Sequence, residues 1–250
     1  MEESIKTDKK RFRLSLYVTV ILLIIMWTIH LLNISNNMAL NRFGTEPREW
    51  SGLLGILTSP LLHGDWQHLI ANSMSFIVLA TGLFYFYPKV GYRVFAISWI
   101  VSGIIVWLIA RPSYHIGASG LIYAMAGFLF LSGILRKDFR LMAVSLIIVF
   151  MYGSMIWGIF PGKEGVSWES HFAGLFTGFG LAWIYRKRGP KRKVWSWEKE
   201  SEDENDSQTP ENQQSDKGFY SSHTHMMEDV EIHYPADEEN KDDEDKPPSS

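Results

Sequence analysis

The chain has 250 residues, a formal net charge of −3 and no cysteine, which excludes disulfides, thiolate metal sites and a cysteine nucleophile. The small net charge sums two opposed parts: from Glu198 onward eighteen Asp and Glu face four Lys, a net −14, which leaves +11 for the rest. A basic, apolar body with an acidic tail excludes an ordinary soluble domain and reads as an all-α integral membrane protein.

A bilayer core of about 30 Å needs about 20 mostly apolar helical residues. Six stretches meet or approach that demand: 14–33, 67–87, 94–111, 116–135, 141–160 and 168–185. Residues 1–13 form a basic, cytoplasmic N-terminus with Lys6, Lys9, Lys10, Arg11 and Arg13. The apolar run after them is too long for a signal peptide and lacks a small-residue cleavage site, so it reads as an uncleaved first span. Between spans 1 and 2 the loop 34–66 contains Leu53-Leu54-Gly55-Ile56-Leu57 and Pro60-Leu61-Leu62. These runs are too short to cross, and they suit a segment lying in the membrane interface.

Lys and Arg placement sets the orientation. With a cytoplasmic N-terminus, inside segments carry sixteen Lys and Arg, and outside segments carry four: Arg42, Arg48, Arg111 and Lys163. Both termini are therefore expected inside, and an even number of spans agrees with this. The membrane domain covers 14–187. The segment 188–250 is first basic, then acidic and rich in Ser, Asn, Gln and Pro, a composition that cannot bury enough surface to order itself. Its His223 and His225 read as scattered polar residues.

With topology assigned, depth follows from the rise of about 1.5 Å per helical residue. His68 and Asn72 stand at the outer start of span 2, Ser119 three residues into span 4, and His171 three residues into span 6. Three helices thus bring Ser, His, His and Asn to one depth in the outer third of the membrane. Each has a plainer use: small residues such as Ser119 serve helix packing, and His68 and Asn72, four apart, suit a hydrogen-bonded pair between helices. An ionisable His171 inside a span is costly and usually faces a polar interior. His30, His63 and His115 also lie near the outer boundary, and His30 reads as an interfacial side chain.

Jointly these residues suit acyl transfer. A serine hydroxyl needs a base to take its proton, and His is the usual one near neutral pH. The oxyanion that develops needs fixed donors; His68, Asn72 and the Ser119 amide at a helix N-terminus qualify. No acidic third member is expected in spans 4 or 6, so a dyad fits. Tyr123, four residues after Ser119, shares its face and can buttress the base. Gly174 and Gly178 below His171, with Gly117, Gly120 and Gly127 on the span 4 side, allow the close helix approach that a contact of about 3 Å requires.

His68-Leu69-Ile70-Ala71-Asn72, preceded by His63, then Gly117-Ala118-Ser119-Gly120 with Tyr123, then His171-Phe172-Ala173-Gly174 with Gly178, resemble in order and orientation the motifs of the rhomboid intramembrane serine proteases. The resemblance covers about 50–186 and implies a six-transmembrane-helix rhomboid-like bundle with an interfacial first outer loop. It implies that Ser119 attacks a peptide bond while His171 acts as base and then acid. His68, Asn72 and the Ser119 amide would hold the oxyanion, and water from the outer side would hydrolyse the acyl-enzyme. Partners would be the lipid bilayer and transmembrane protein substrates, cut near the outer end of a helix in a bacterial inner membrane. No nucleic acid, metal or cofactor is implied. The chain departs from the family in Arg48-Glu49-Trp50, which reverses its Trp-Arg pair, and in Ser170, where Ala or Gly is usual.

Three rival classes are weaker. A rhomboid-like escort protein that binds clients without cleaving them typically lacks the Ser or the His. A zinc hydrolase using the outer histidines with Asp65 would need three or four converging ligands, and no His-Glu-x-x-His is present. A transporter would call for midplane charge pairs or an inverted repeat.

Overall fold

A computed structural model of the chain describes residues 2–137, 142–143, 146–147, 150, 158–161 and 165–188. All of them belong to one unit, Met1–Lys193. Most of the expected fifth span, Lys163 and the tail beyond 188 with His223 and His225 lie outside the described residues.

The α-helices used below are α1 (Glu2–Ser35), α2 (Gly55–Thr58), α3 (Trp66–Phe86), α4 (Gly91–Ile109), α5 (Ser119–Arg136) and α6 (Trp168–Ile184). No strand occurs among them, and a single backbone bridge pairs Thr45 with His115. Four helices, α1 from Ile5, α3, α4 and α5, are long and apolar enough to cross a membrane. α6, with 17 residues, stands at the lower end of the usual range of roughly 17–25. The basic segment before residue 14 is part of α1 rather than a separate tail. Lys and Arg are good helix formers, so nothing there stops the helix from beginning at Glu2.

α5 is the centre of the bundle: 67% of its apolar window is buried, against 22% for α1 and α4. α6 lies along it, α1 packs on α3, and α4 touches both α5 and α6. Phe76, Leu79, Leu83, Met125, Phe128 and Leu129 are fully buried between α3 and α5. Several polar groups inside this core pair with one another, which offsets the cost of burying them where no water reaches. Trp27 Nε1 donates to Ser73 Oγ at 3.0 Å, Thr81 donates to Thr19 at 3.2 Å, and the Tyr87 hydroxyl meets Ser132 Oγ at 2.6 Å. At the C-terminal end of α5 Arg136 donates to the carbonyls of Tyr185, at 2.8 Å, and Arg188, and its guanidinium lies over the Tyr87 ring. One cation thereby closes α5 onto the end of α6.

The segment between α1 and α3 is docked on α4 by backbone and side-chain bonds. Arg48 N–H donates to Trp107 O at 2.9 Å, and its guanidinium donates to Ala110 O at 2.8 Å, capping the C-terminus of α4. Trp107 Nε1 returns a bond to Glu49 O at 2.8 Å, and Trp99 Nε1 donates to Leu57 O at 3.2 Å. Arg48 adopts φ 63°, the left-handed region costly to a residue with a Cβ. The capping role belongs to Arg48 despite its position before Trp50, whose side chain is exposed.

Candidate active site

Ser119 is the first residue of α5, not the third of a span. The chain turns at Gly117, with φ 106°, and the helix begins only after Ala118. The first N–H groups of a helix have no intrahelical acceptor, and Ala118 at the N-cap has no side chain that could serve. A free, positively polarised helix end therefore surrounds a half-buried Ser119. Gly117 is required twice over. A Cβ there would sit in a left-handed backbone, 2.5 Å from His68 Nε2 and 3.4 Å from Asn72 Nδ2. The same closeness brings the α3 pair against the backbone two residues before Ser119.

α3 begins at Asp65, whose carboxylate caps the helix by accepting from His68 N at 2.8 Å, an N-cap of the usual kind. One turn on, Asn72 is buried and its Nδ2 has no hydrogen-bond partner. An unsatisfied buried donor is rare enough to require an explanation. His63 packs edge-on against His68 with ring centroids 5.0 Å apart. Burial first, and then the His68 imidazole, push His63 down to about 3, so it stays neutral under ordinary conditions. His30 is buried rather than interfacial: its ring lies 4.7 Å from that of Trp66, and Nδ1 donates to His63 O at 3.2 Å. The bond from α1 to the loop draws it inward.

α6 carries His171 at its fourth residue, buried. Its Nδ1 lies 2.8 Å from the Gly158 carbonyl. A carbonyl only accepts, so Nδ1 carries the proton and Nε2 keeps its lone pair. The imidazole stacks on the Tyr123 ring at 4.2 Å and 12°, which puts α6's histidine beside the residue one turn below Ser119. The helices approach through bare backbone. A methyl at Gly174 would collide with the Gly120 carbonyl, one at Gly178 with the Ala124 carbonyl, and one at Gly127 would lie 2.9 Å from Leu175 O. Only small residues allow such a seam. Ser170 also fits it, with its carbonyl 3.0 Å from where a Gly120 Cβ would stand.

Glu169 contradicts the expectation of carboxylate-free spans. It is a buried residue of α6, two before His171, and its carboxylate faces Arg111 Nε at 3.5 Å. Residues two apart on a helix do not share a face, and its carboxylate is bound to the loop at Arg111. Its position beside Arg111 was hidden because the partners are far apart in the chain. Behind Gly117 and Gly120 lies a cavity of about 30 Å³ lined by Thr45, Ser59, Ser102, Ser170 and His115. At about 10–15 Å³ of such volume per water, it has room for about two. Among the described residues no three His, Asp or Glu converge as a ligand set for a metal.

The Rhomboid domain family matches residues 49–188. The uncharacterized protein Rv1337 of Mycobacterium tuberculosis is 32% identical over 183 residues, which span 68% of this chain and 74% of that protein. The uncharacterized protein ML1171 of Mycobacterium leprae is 30% identical over 185 residues, 68% of this chain and 70% of its own length. The putative rhomboid protease YdcA of Bacillus subtilis is 28% identical over 156 residues, 60% of this chain and 74% of its own. The family match covers more than half of the chain and its all-helical, apolar architecture agrees with it: the chain is a multi-pass membrane protein of the rhomboid family.

Proposed function

We propose that the chain is an intramembrane serine endopeptidase working through a Ser119–His171 dyad. The observation that carries this reading is the α5–α6 seam. His171 stacks on Tyr123, one turn from Ser119, while Gly174 admits the Gly120 backbone. In the reaction, His171 Nε2 takes the Ser119 proton as Oγ attacks the scissile carbonyl. The imidazolium then protonates the leaving amine, and water hydrolyses the resulting acyl-enzyme with the same residue as base. Asn72 Nδ2, an unpartnered buried donor, with His68 and the Ser119 amide, is suited to the oxyanion. The cavity beside Gly120, where Ser59, Ser102, Ser170 and His115 stand among apolar residues, is a source of the water. The Gly158 carbonyl holds the base in the tautomer the step needs and steadies the imidazolium.

Substrates are membrane proteins cut near the outer end of a transmembrane helix. The domain is a six-span bundle over 14–187, with a cytoplasmic N-terminus before it and the basic, then acidic segment 188–250 after it. The exposed Trp50, Leu54 and Leu57 suit a first outer loop lying in the interface. Both termini are cytoplasmic, and the mycobacterial and Bacillus relatives favour a bacterial inner membrane.

The test is a fluorophosphonate probe together with a transmembrane-helix substrate. The purified wild type should label and cleave, and Ser119→Ala and His171→Ala should do neither while unfolding at the wild-type temperature. An intact chain that captures such substrates without turnover would refute the reading in favour of a client-binding rhomboid. The cysteine-free background also allows single cysteines to report orientation: in intact cells an impermeant maleimide should modify Ser51→Cys and spare Thr7→Cys.

A further inference from the structure

His115 takes no part in the chemistry proposed above, yet it is buried at the junction of three segments. Its backbone N–H and C=O are both paired with Thr45, each at 2.9 Å, and Gly117 N–H donates to Ser59 O at 2.8 Å. The loop from Arg111 to Gly117 is thus pinned to the first outer loop immediately before the nucleophile. The His115 side chain then reaches the start of α6, with Nδ1 2.6 Å from Ser167 Oγ.

The direction of every bond in this chain can be assigned. His115 Nε2 faces Arg111 O at 3.0 Å and Ser113 Oγ at 3.3 Å. The carbonyl only accepts, so Nε2 bears the proton and Nδ1 is the acceptor. Ser167 therefore donates its single hydroxyl proton to Nδ1. It accepts from the Ser170 hydroxyl at 2.6 Å and from Ser170 N–H at 3.3 Å. Ser167 is the N-cap of α6, and its carbonyl accepts from His171 N–H at 3.3 Å. One imidazole thereby orients the cap, the residue that borders Gly120 and the first backbone bond of the base.

We propose that His115 is a positioning residue: in its neutral, Nε2-protonated form it holds the first turn of α6 so that His171 stands within proton-transfer reach of Ser119. The inference rests on the protease reading. Protonation at Nδ1 would replace the acceptor with a donor. Ser167 would have to turn its hydroxyl toward Ser170, and the Ser170 proton would lose its acceptor. The charged groups facing His115 are Arg111 on its own loop and Glu169 on α6, while Thr45 and Ser59 of the first outer loop, which line the same cavity, are neutral. Burial, the largest influence, lowers the His115 pKa, which keeps the acceptor form in place at neutral pH.

The full chain in detergent, with a transmembrane-helix substrate, gives the kinetic test. A displacement of about 1 Å costs up to about a hundredfold in rate, so His115→Ala should lower kcat roughly ten- to a hundredfold at unchanged KM. His115→Asn, whose Oδ1 can accept from Ser167, should recover most of kcat. It should also lose one proton from the acid limb of the pH profile, because the amide does not titrate. Equal kcat in all three proteins, an Asn variant no better than Ala, or an unchanged acid limb would overturn the proposal. Spin labels on cysteines at the exposed Ile70 and Phe172 report the position of α6 without activity. The distance distribution should broaden in His115→Ala and narrow again in His115→Asn. If the wild type neither labels nor cleaves, the protease reading fails, and this distribution alone decides the clamp: no broadening in His115→Ala refutes it.

Discussion

Replacing Gly174 by alanine adds one methyl to the seam on which the proposed chemistry depends. The new Cβ would stand 2.8 Å from Gly120 C and 3.2 Å from Gly120 Cα, with the Gly120 carbonyl oxygen closer still. Favourable carbon contacts begin at about 3.5 Å, and helix backbone cannot rotate aside as a side chain can. α6 must therefore move off α5 by roughly 1–1.5 Å, taking His171, one turn away, with it. Overpacking of this kind costs about 1–3 kcal/mol of stability. A displacement of about 1 Å between base and nucleophile costs on the order of a hundredfold in rate. The assay is the second-order rate of fluorophosphonate labelling at Ser119, followed by gel fluorescence alongside thermal unfolding. Gly180→Ala is the internal control, since its methyl would meet nothing within 4 Å, and it should match the wild type in rate. A Gly174→Ala protein labelling within about twofold of wild type would refute the reasoning, because the distance between the two helices would then not govern reactivity.

Asn72→Ala should lower kcat by about 10²–10³-fold, the usual loss for one oxyanion donor. Its melting temperature should hold or rise, because Nδ2 has no partner to lose; a large drop in melting temperature would mean that the amide serves the fold. His63, held near 3 by burial, binds a proton in the unfolded chain below about 6.5 that the folded chain refuses. Stability should therefore fall as pH is lowered from about 6.5 towards 3, and His63→Leu should flatten that limb in thermal unfolding against pH. Arg48→Ala should destabilise by about 1–2 kcal/mol through the lost bond to Ala110 O. Arg48→Gly should recover about 1 kcal/mol of this by relieving the left-handed backbone, so the melting order should be wild type, then Gly, then Ala.

The long helices were legible because apolar length is a strong signal: α3, α4, α5 and α6 begin and end within a few residues of the expected bounds. Ser119 shows where that signal stops. The apolar run includes Ile116 to Ala118, yet the turn at Gly117 delays the helix, so hydropathy alone sets the start of α5 three residues early. The candidate site was legible as residue types at the starts of three helices, while the contacts that organise it were not. His30, Glu169 and His115 each take a partner distant in the chain, and no local pattern announces such pairs. Arg48 was visible only as a misplaced member of a pair, because its capping of α4 depends on a backbone bend that periodicity does not encode.

Where two helices meet through amide backbone, as α5 and α6 do at Gly120, Gly174 and Gly178, no rotamer exists to trade one packing for another. Such a contact has one depth of closure and no second resting place, since packed interfaces change by discrete rearrangement rather than by stretching. With Arg136 bolting the C-terminal ends of the two helices together, this pair behaves as a fixed anvil. Any opening of the bundle has to come from the elements around it.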